Sequence, residues 1–317
     1  MELCSQPQRL TLGGINASRM SVRMIINPTS GNGRRQRALE TLARLAAERL
    51  GANLKVVYSD HSGHPRELAR EAVAEGVDRV IAAGGDGTVN EVGQELINTH
   101  VALGILPCGS GNGLARHLGI PSSPRKAIRL AIAGKKFAMD TGTANGLPFL
   151  NVMGIGFDAE ISAQFNQLER RGSWPYFRVG WHTFRRWKPF SFTLSHGPSI
   201  SGHAWLITVA NASQYGNNAF IAPEAAIADG DLDCVILRPA SLAETASLGI
   251  RLFCRNLHRH PAVQTLRNDR FRITRESEGW IHTDGESHWT GTVIDITTHP
   301  KSLNVVANRP LWSQTPP

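Results

Sequence analysis

Gly84-Gly85-Asp86-Gly87-Thr88-Val89-Asn90-Glu91 follows an apolar run, Val80-Ile81-Ala82-Ala83, and opens a stretch of helical character. A strand that ends in two glycines lets backbone N–H groups approach a phosphate with no Cβ in the way. Asp86 puts a carboxylate where Mg²⁺ or a phosphate would sit, and Thr88 and Asn90 add neutral hydrogen-bonding groups. An anion-binding turn beside an acid is the pairing that a nucleoside triphosphate site needs. The plainer alternative is a glycine-rich β-to-α turn with an aspartate capping the helix.

Two other turns share this design. Ile25-Ile26-Asn27-Pro28-Thr29-Ser30-Gly31-Asn32-Gly33 ends an apolar run before a helix, and so does Gly104-Ile105-Leu106-Pro107-Cys108-Gly109-Ser110-Gly111-Asn112-Gly113. Three strand–turn–helix units imply parallel strands whose carboxyl ends share one edge, where ligands collect in open α/β sheets. Strands are expected at residues 22–26, 54–58, 79–83 and 102–106, and Leu39, Leu42, Ala46 and Leu50 fall on one helical face. Beyond Phe137 the pattern turns to short β runs joined by Gly, Pro and Asn, interrupted by one helix near 242–257. The expected fold is α/β: a parallel-sheet, three-layer nucleotide-binding domain over 21–140, then a mainly antiparallel β-sandwich over 141–317. The active cleft lies between them, and the last strand is expected to pack back on the first domain. Residues 1–20 read as a flexible leader, with Met20 a candidate native start.

In order and spacing, these segments resemble the diacylglycerol kinase catalytic superfamily, which includes bacterial diacylglycerol kinases and phosphatidylglycerol, sphingosine and ceramide kinases. The carriers are the Asn-Pro-Thr-Ser-Gly turn, the Gly-Gly-Asp-Gly-Thr loop, the Pro-x-Gly-Ser-Gly-Asn turn, Gly154-x-Gly156-Phe157-Asp158 and Asp284-Gly285-Glu286. Each is weak alone; five in register over residues 22 to 307 are specific. Ser110 stands where bacterial diacylglycerol kinases more often carry Thr, a variant closer to sphingosine kinases, so the acceptor lipid stays open.

The resemblance implies ATP as co-substrate and Mg²⁺ as its ion. ATP contacts are expected from Asn27, Ser30, Ser59, Gly84, Gly85, Asp86, Gly87, Thr88, Val89, Asn90, Ser110 and Asn112. Asp86 is the first choice for the catalytic metal, with Asp140 in support. Asp284 and Glu286 are the candidates for the base that deprotonates the acceptor hydroxyl, because two close carboxylates repel and one pKa should rise. Asp-Gly is equally a strong hairpin signal, and which of the two carboxylates is the base stays open. His282 and His288 are expected at the surface. Residues 226–233 resemble a family loop that holds a structural Mg²⁺ through Ala226, Asp229 and Asp231; an acidic turn before a strand is the alternative.

The 317 residues carry a formal net charge of +8 and a pI near 9.8, which suits an anionic partner. No apolar run approaches the ~20 residues that span a bilayer, and residues 1–20 lack a secretory signal's apolar core. Cys4, Cys108, Cys234 and Cys254 are widely spaced, which argues against a disulfide framework or zinc site and for a reducing cytosol. Residues 165–190 interleave aromatic and basic side chains; Trp174, Phe177 and Trp181, with Arg185 and Arg186, suit an interfacial helix on anionic lipid. Covering the base of the sandwich is the alternative, and RNA stacking is a third reading; no nucleic-acid partner is expected, and a homodimer is left open. The function expected is an ATP-dependent lipid kinase, cytoplasmic and peripherally membrane-bound, with diacylglycerol favoured over a sphingoid base or phosphatidylglycerol. The alternatives are NAD kinase, which shares the Gly-Gly-Asp-Gly-Thr loop, and a non-catalytic nucleotide- or lipid-binding protein.

Overall fold

Four parallel strands, β1 (Ser21–Ile26), β2 (Asn53–Tyr58), β3 (Arg79–Gly84) and β4 (Ala102–Pro107), form the first half in the order β2-β1-β3-β4. The computed structural model describes residues 19–28, 33–166, 187–195 and 199–308. Met24, Ile25 and Ile26 of β1 and Val80 to Ala83 of β3 are buried on both faces, as expected of strands covered by helices on each side. Helices α1 (Gly33–Leu50) and α5 (Pro124–Ala133) pack together, as do α2 (His64–Ala74) and α3 (Asp86–Leu96). In α5, Ala127, Ile128, Ala131 and Ile132 repeat at helical spacing and are buried. Pro124 pre-sets its first turn. The strand order reverses at β1, with β2 on one side and β3 and β4 on the other, so the crevice at a topological switch point falls between Asn27 and Gly84.

The second half is a sandwich whose two sheets enclose one core. A six-stranded sheet holds β7 (Val152–Gly156), β10 (Leu206–Ala210), β11 (Leu232–Leu237), β12 (Val263–Asn268), β14 (Gly279–Thr283) and β15 (Glu286–Thr290). The opposing strands, β8 (Phe190–Ser195), β9 (Ile200–Ala204), β13 (Arg270–Arg275) and β16 (Val293–Ala307), continue the sheet of the first half. Met153, Ile155, Ile207 and Ile236 of one sheet meet Phe192, Phe271, Ile273 and Ile294 of the other. Helix α7 (Leu242–Phe253) opens on a capping box between Ser241 and Glu244. The helical signal to 257 breaks after Phe253 into a 3-10 turn, Leu257–Arg259. Helix α6 (Phe157–Asn166), absent from the sequence reading, follows β7.

The last strand, β16, is a single run of 15 residues. β16 pairs antiparallel with β13 and β5 (Lys135–Ala144), shifts register between His299 and Leu303, and ends parallel to β4 through Asn304 and Val305. The chain's last strand therefore joins both halves. In β5, Gly142 faces Phe149 of β6 (Leu147–Phe149), whose ring is fully buried. A Cβ on Gly142 would lie 2.1 Å from that ring. Gly142→Ala is expected to cost about 1–3 kcal/mol through overpacking, read as a lower urea midpoint at unchanged slope.

Candidate active site

The Gly84–Glu91 segment turns from β3 into α3, with Asp86 in the helix's first turn, where an anionic side chain is favoured. Asp86 Oδ2 accepts the Asn112 N–H and Oδ1 accepts the Gly113 N–H, each at 2.7 Å. The acid of the first turn thus organises the Gly109–Gly113 turn. Burial pushes its pKa up against the pull of those two amides. A Cβ on Gly111 would stand 2.7 Å from Asp86 Oδ2, so this glycine is needed for the carboxylate itself. Gly84 has a similar internal reason: a Cβ there would lie 2.4 Å from Thr88 Oγ1. That Thr88 oxygen accepts the Asn27 amide at 3.0 Å and closes the switch point between β1 and β3.

The other expected contacts divide. Ser59, whose N–H bonds to Ile26 O at 3.0 Å, is buried at the end of β2. Ser110 is exposed, and Asn112 folds its side chain back on Gly109 N and O. Val89 joins the hydrophobic core, and Asn90 is buried and accepts from Gln94. Ser30 lies outside the described residues, as do Trp174, Phe177, Trp181, Arg185 and Arg186.

Asp284 and Gly285 form the two-residue turn between β14 and β15, both with positive φ (51° and 87°). This is the hairpin that Asp-Gly favours, and amides of the segment after β6 hold its aspartate. Asp284 Oδ2 accepts the Leu150 N–H at 2.7 Å, and Oδ1 accepts those of Asn151 and Val152 at 2.9 Å. Burial nevertheless pushes its pKa up to about 6, outweighing the three amides. Glu286 is exposed on β15 and lies close enough to Glu91 of α3 to raise the pKa of Glu91, after burial, the larger cause. Glu91 Oε2 also accepts the Gly63 N–H at 3.1 Å.

His282 corrects the expectation of a surface ring. It is 3% exposed, and its Nδ1 accepts the Gly285 N–H at 3.3 Å. That bond leaves the ring proton on Nε2, which faces Asp158 Oδ2 at 3.4 Å. The same carboxylate oxygen accepts from Thr208 Oγ1 at 3.0 Å and Tyr215 OH at 2.9 Å. His288 is half-buried and paired with Thr283 Oγ1 at 3.0 Å. Asp158 belongs to the Gly154-x-Gly156-Phe157-Asp158 motif, which carried no assigned role from sequence. Here it anchors the imidazole beneath the Asp284 turn.

Asn151 joins the two acidic turns. Its N–H donates to Asp284, and its Nδ2 donates to Gln214 O at 3.0 Å and lies 2.9 Å from where a Gly113 Cβ would stand. Gly113 in turn donates to Asp86. The Asp86 and Asp284 carboxylates are thus held on either side of one Gly113–Asn151 contact. The buried Asn151 Oδ1 has no hydrogen-bond partner among the described residues. Nothing in the local sequence, an Asn after Phe149-Leu150, marks this residue.

Asp140 serves a different set of partners. It is fully buried; Oδ2 accepts the Gly230 N–H and Oδ1 the Lys301 N–H, both at 2.7 Å. It thereby ties residues 226–231 and the β16 irregularity to β5, and its bonds are not to the turn that holds Asp86. Asp229 Oδ1 accepts the Asp231 N–H at 3.1 Å while Oδ2 lies 3.5 Å from Arg267. Arg267 also pairs with Asp233, whose pKa burial pushes up to about 6. Ala226 is half-buried in this segment.

Residues 21–144 match the diacylglycerol kinase catalytic domain, and residues 151–307 match the YegS C-terminal NAD kinase beta sandwich-like domain. A diacylglycerol kinase of Bacillus subtilis is 30% identical over 275 residues, 83% of this chain and 89% of that protein. One from Mycobacterium tuberculosis is 30% identical over 246 residues, 73% and 78% of the two chains. The crystal structure of a provisionally named diacylglycerol kinase from Bacillus anthracis superposes with a TM-score of 0.75 at 25% identity, covering 92% of this chain and 98% of that one.

The Asp158 cluster makes its own prediction. Asp158→Asn replaces an acceptor of several donors by a group that must itself donate, an expected cost of about 1–3 kcal/mol. Urea unfolding followed by far-UV circular dichroism checks it; an unchanged midpoint would show that the cluster does not stabilise the turn.

Proposed function

This chain belongs to the diacylglycerol kinase catalytic family, and from that premise we propose that it transfers the γ-phosphoryl group of ATP to the hydroxyl of a membrane lipid, with diacylglycerol the favoured acceptor. The observation that carries the reading is the pair of acidic turns, Asp86 and Asp284, held across one Gly113–Asn151 contact. Phosphoryl transfer asks a protein chiefly for positioning and for neutralisation of charge. The glycine turns at 84–88 and 109–113 supply backbone for the phosphates, and Asn27, Ser59 and Thr88 line the switch point where the nucleotide would lie. Gly285 and Glu286 are exposed just after Asp284, the side from which a lipid hydroxyl would approach.

Asp86 fits an oxygen-ligated cation. Both of its oxygens are held by backbone N–H groups and stay available as ligands to a hard cation. When bound, Mg²⁺ would offset the charge of the phosphates. Residues 226–231 offer a second oxygen-rich segment, which Arg267 already neutralises in part.

Asp284 is the better placed of the two carboxylates to accept the acceptor's proton. Its raised pKa, about 6, makes it a stronger base than an ordinary aspartate while leaving it ionised at neutral pH. Glu286, exposed opposite Glu91, adds negative charge that orients the acceptor side and favours a neutral hydroxyl over an anionic group. The sign of the pH dependence follows. The active form is deprotonated Asp284, so kcat/KM should fall as pH drops through about 6. The folded pKa is raised, so the native state favours the protonated acid. This group's contribution to stability is therefore fully present below its unfolded value, and it is lost as pH rises through about 6.

The chain's positive charge suits recruitment to an anionic membrane surface. Among the described residues no helix is long and apolar enough to cross a membrane. The test is transfer of label from γ-labelled ATP with Mg²⁺ to mixed vesicles holding diacylglycerol, sphingosine or phosphatidylglycerol, with NAD in a parallel reaction. Label is expected in phosphatidic acid, and Asp86→Asn and Asp284→Asn should each lower kcat by about 10²–10⁴-fold. Label in NADP alone would overturn the reading.

A further inference from the structure

Asp60, His61 and His64 lie at the carboxyl end of β2, directly after Ser59, and take no part in the site described above. Asp60 Oδ1 stands 2.5 Å from His61 Nδ1 and also contacts His64 Nδ1. The three atoms lie within 4.8 Å of one another. The two rings stack with centroids 4.8 Å apart and planes 15° from parallel, which turns the same nitrogen of each toward the carboxylate. The backbone produces this convergence. Gly63, at φ 88°, sends the chain straight into α2, and His64 comes back over Asp60 one turn later.

His64 Nδ1 meets two Asp60 groups of opposite demand. The Asp60 backbone N–H donates to His64 Nδ1 at 3.2 Å, which requires a lone pair on that nitrogen. The Asp60 carboxylate faces the same nitrogen, which requires a proton there. No protonation state of His64 satisfies both contacts. A positive ion shared by Asp60 Oδ1 and the two Nδ1 atoms would remove the clash between the carboxylate and the His64 lone pair, in exchange for the longer Asp60 N–H contact, and small rotations of exposed side chains would admit it.

We propose that Asp60, His61 and His64 form a binding site for a divalent transition-metal ion, with Zn²⁺ the best match. Two imidazole nitrogens and one carboxylate oxygen suit Zn²⁺ and its neighbours in the first row and not the all-oxygen shells of Mg²⁺ or Ca²⁺. Asp60 and His61 are 75% and 58% exposed at their side chains, so water completes the coordination. The site is therefore open and exchangeable, unlike a closed structural zinc centre. Its loop is anchored on both sides: Ser59 N–H bonds to Ile26 O, and Gly63 N–H bonds to Glu91 Oε2. Loading the ion fixes the segment between Ser59 and the first turn of α2, next to the edge where Asn27 and Gly84 meet. The proposal stands apart from the phosphoryl-transfer reading and does not depend on it.

The test is isothermal titration of ZnCl₂ into chelator-treated full-length protein, with CoCl₂ as a parallel visible-absorption probe. Wild type is expected to bind one ion at this site with a Co²⁺ spectrum of mixed nitrogen and oxygen ligation. His61→Ala and His64→Ala should each weaken binding by at least about tenfold, since even the loss of an outer-shell partner costs about 10–100-fold. His203→Ala, which removes an exposed histidine of β9, should leave binding unchanged. Zn²⁺ should also raise the melting temperature of wild type and not of His61→Ala, because an ion that binds only the native state stabilises it. Failure of wild type to take up Zn²⁺, or equal uptake by wild type and the His61→Ala and His64→Ala variants, overturns the proposal. His61 is exposed and outside α2, so its variant decides the matter even if His64→Ala fails to fold.

Discussion

The structure hangs on β16. One strand pairs with β13 in the sandwich, with β5 along its length and with β4 in the parallel sheet. The hydrogen-bonded ladder carries one ten-stranded sheet through both halves, and the six-stranded sheet packs against its far part. That continuity is what allows acidic groups from distant parts of the chain to be set against each other without a covalent tie. Where β16 shifts register between His299 and Leu303, the fully buried Asp140 accepts the Lys301 N–H and the Gly230 N–H. A buried carboxylate without such partners would be costly. With them it pins the irregularity and the 226–231 segment at one point.

The parallel half was legible because its signals are local. Apolar runs ending in glycine, followed by helical spacing, specify β1 to β4 and their turns within short windows, and residues 21–144 match the diacylglycerol kinase catalytic domain. Asp-Gly at 284–285 is legible as a hairpin turn, and the turn is there between β14 and β15. The reasons for some glycines were not. Gly84 and Gly111 were read as openings for phosphate, whereas each also makes room for a side chain of the protein, Thr88 and Asp86. What stayed hidden depends on contacts across more than a hundred residues. His282 reads as polar and exposed until β7 and α6 close over it and Asp158 meets its Nε2. Asn151 has no local signature, and its place between Gly113 and Asp284 exists only after the two halves pair.

The chemical character of the site follows from how its carboxylates are satisfied. Asp86 and Asp284 both receive backbone N–H groups, those of Asn112 and Gly113 among them for the first and those of Leu150, Asn151 and Val152 for the second. An arginine or lysine in the same place would cancel much of either acid's charge. Amides orient a carboxylate and offset part of its desolvation while leaving the negative charge uncompensated. The upward pKa of both groups expresses that balance, with burial stronger than the amides. Asp233 shows the contrasting solution nearby, a carboxylate paired with Arg267. A charge-paired acid of that kind suits a structural position. An acid held by amides alone keeps its affinity for a cation or a proton, which is the property that a metal-holding residue and a general base both require.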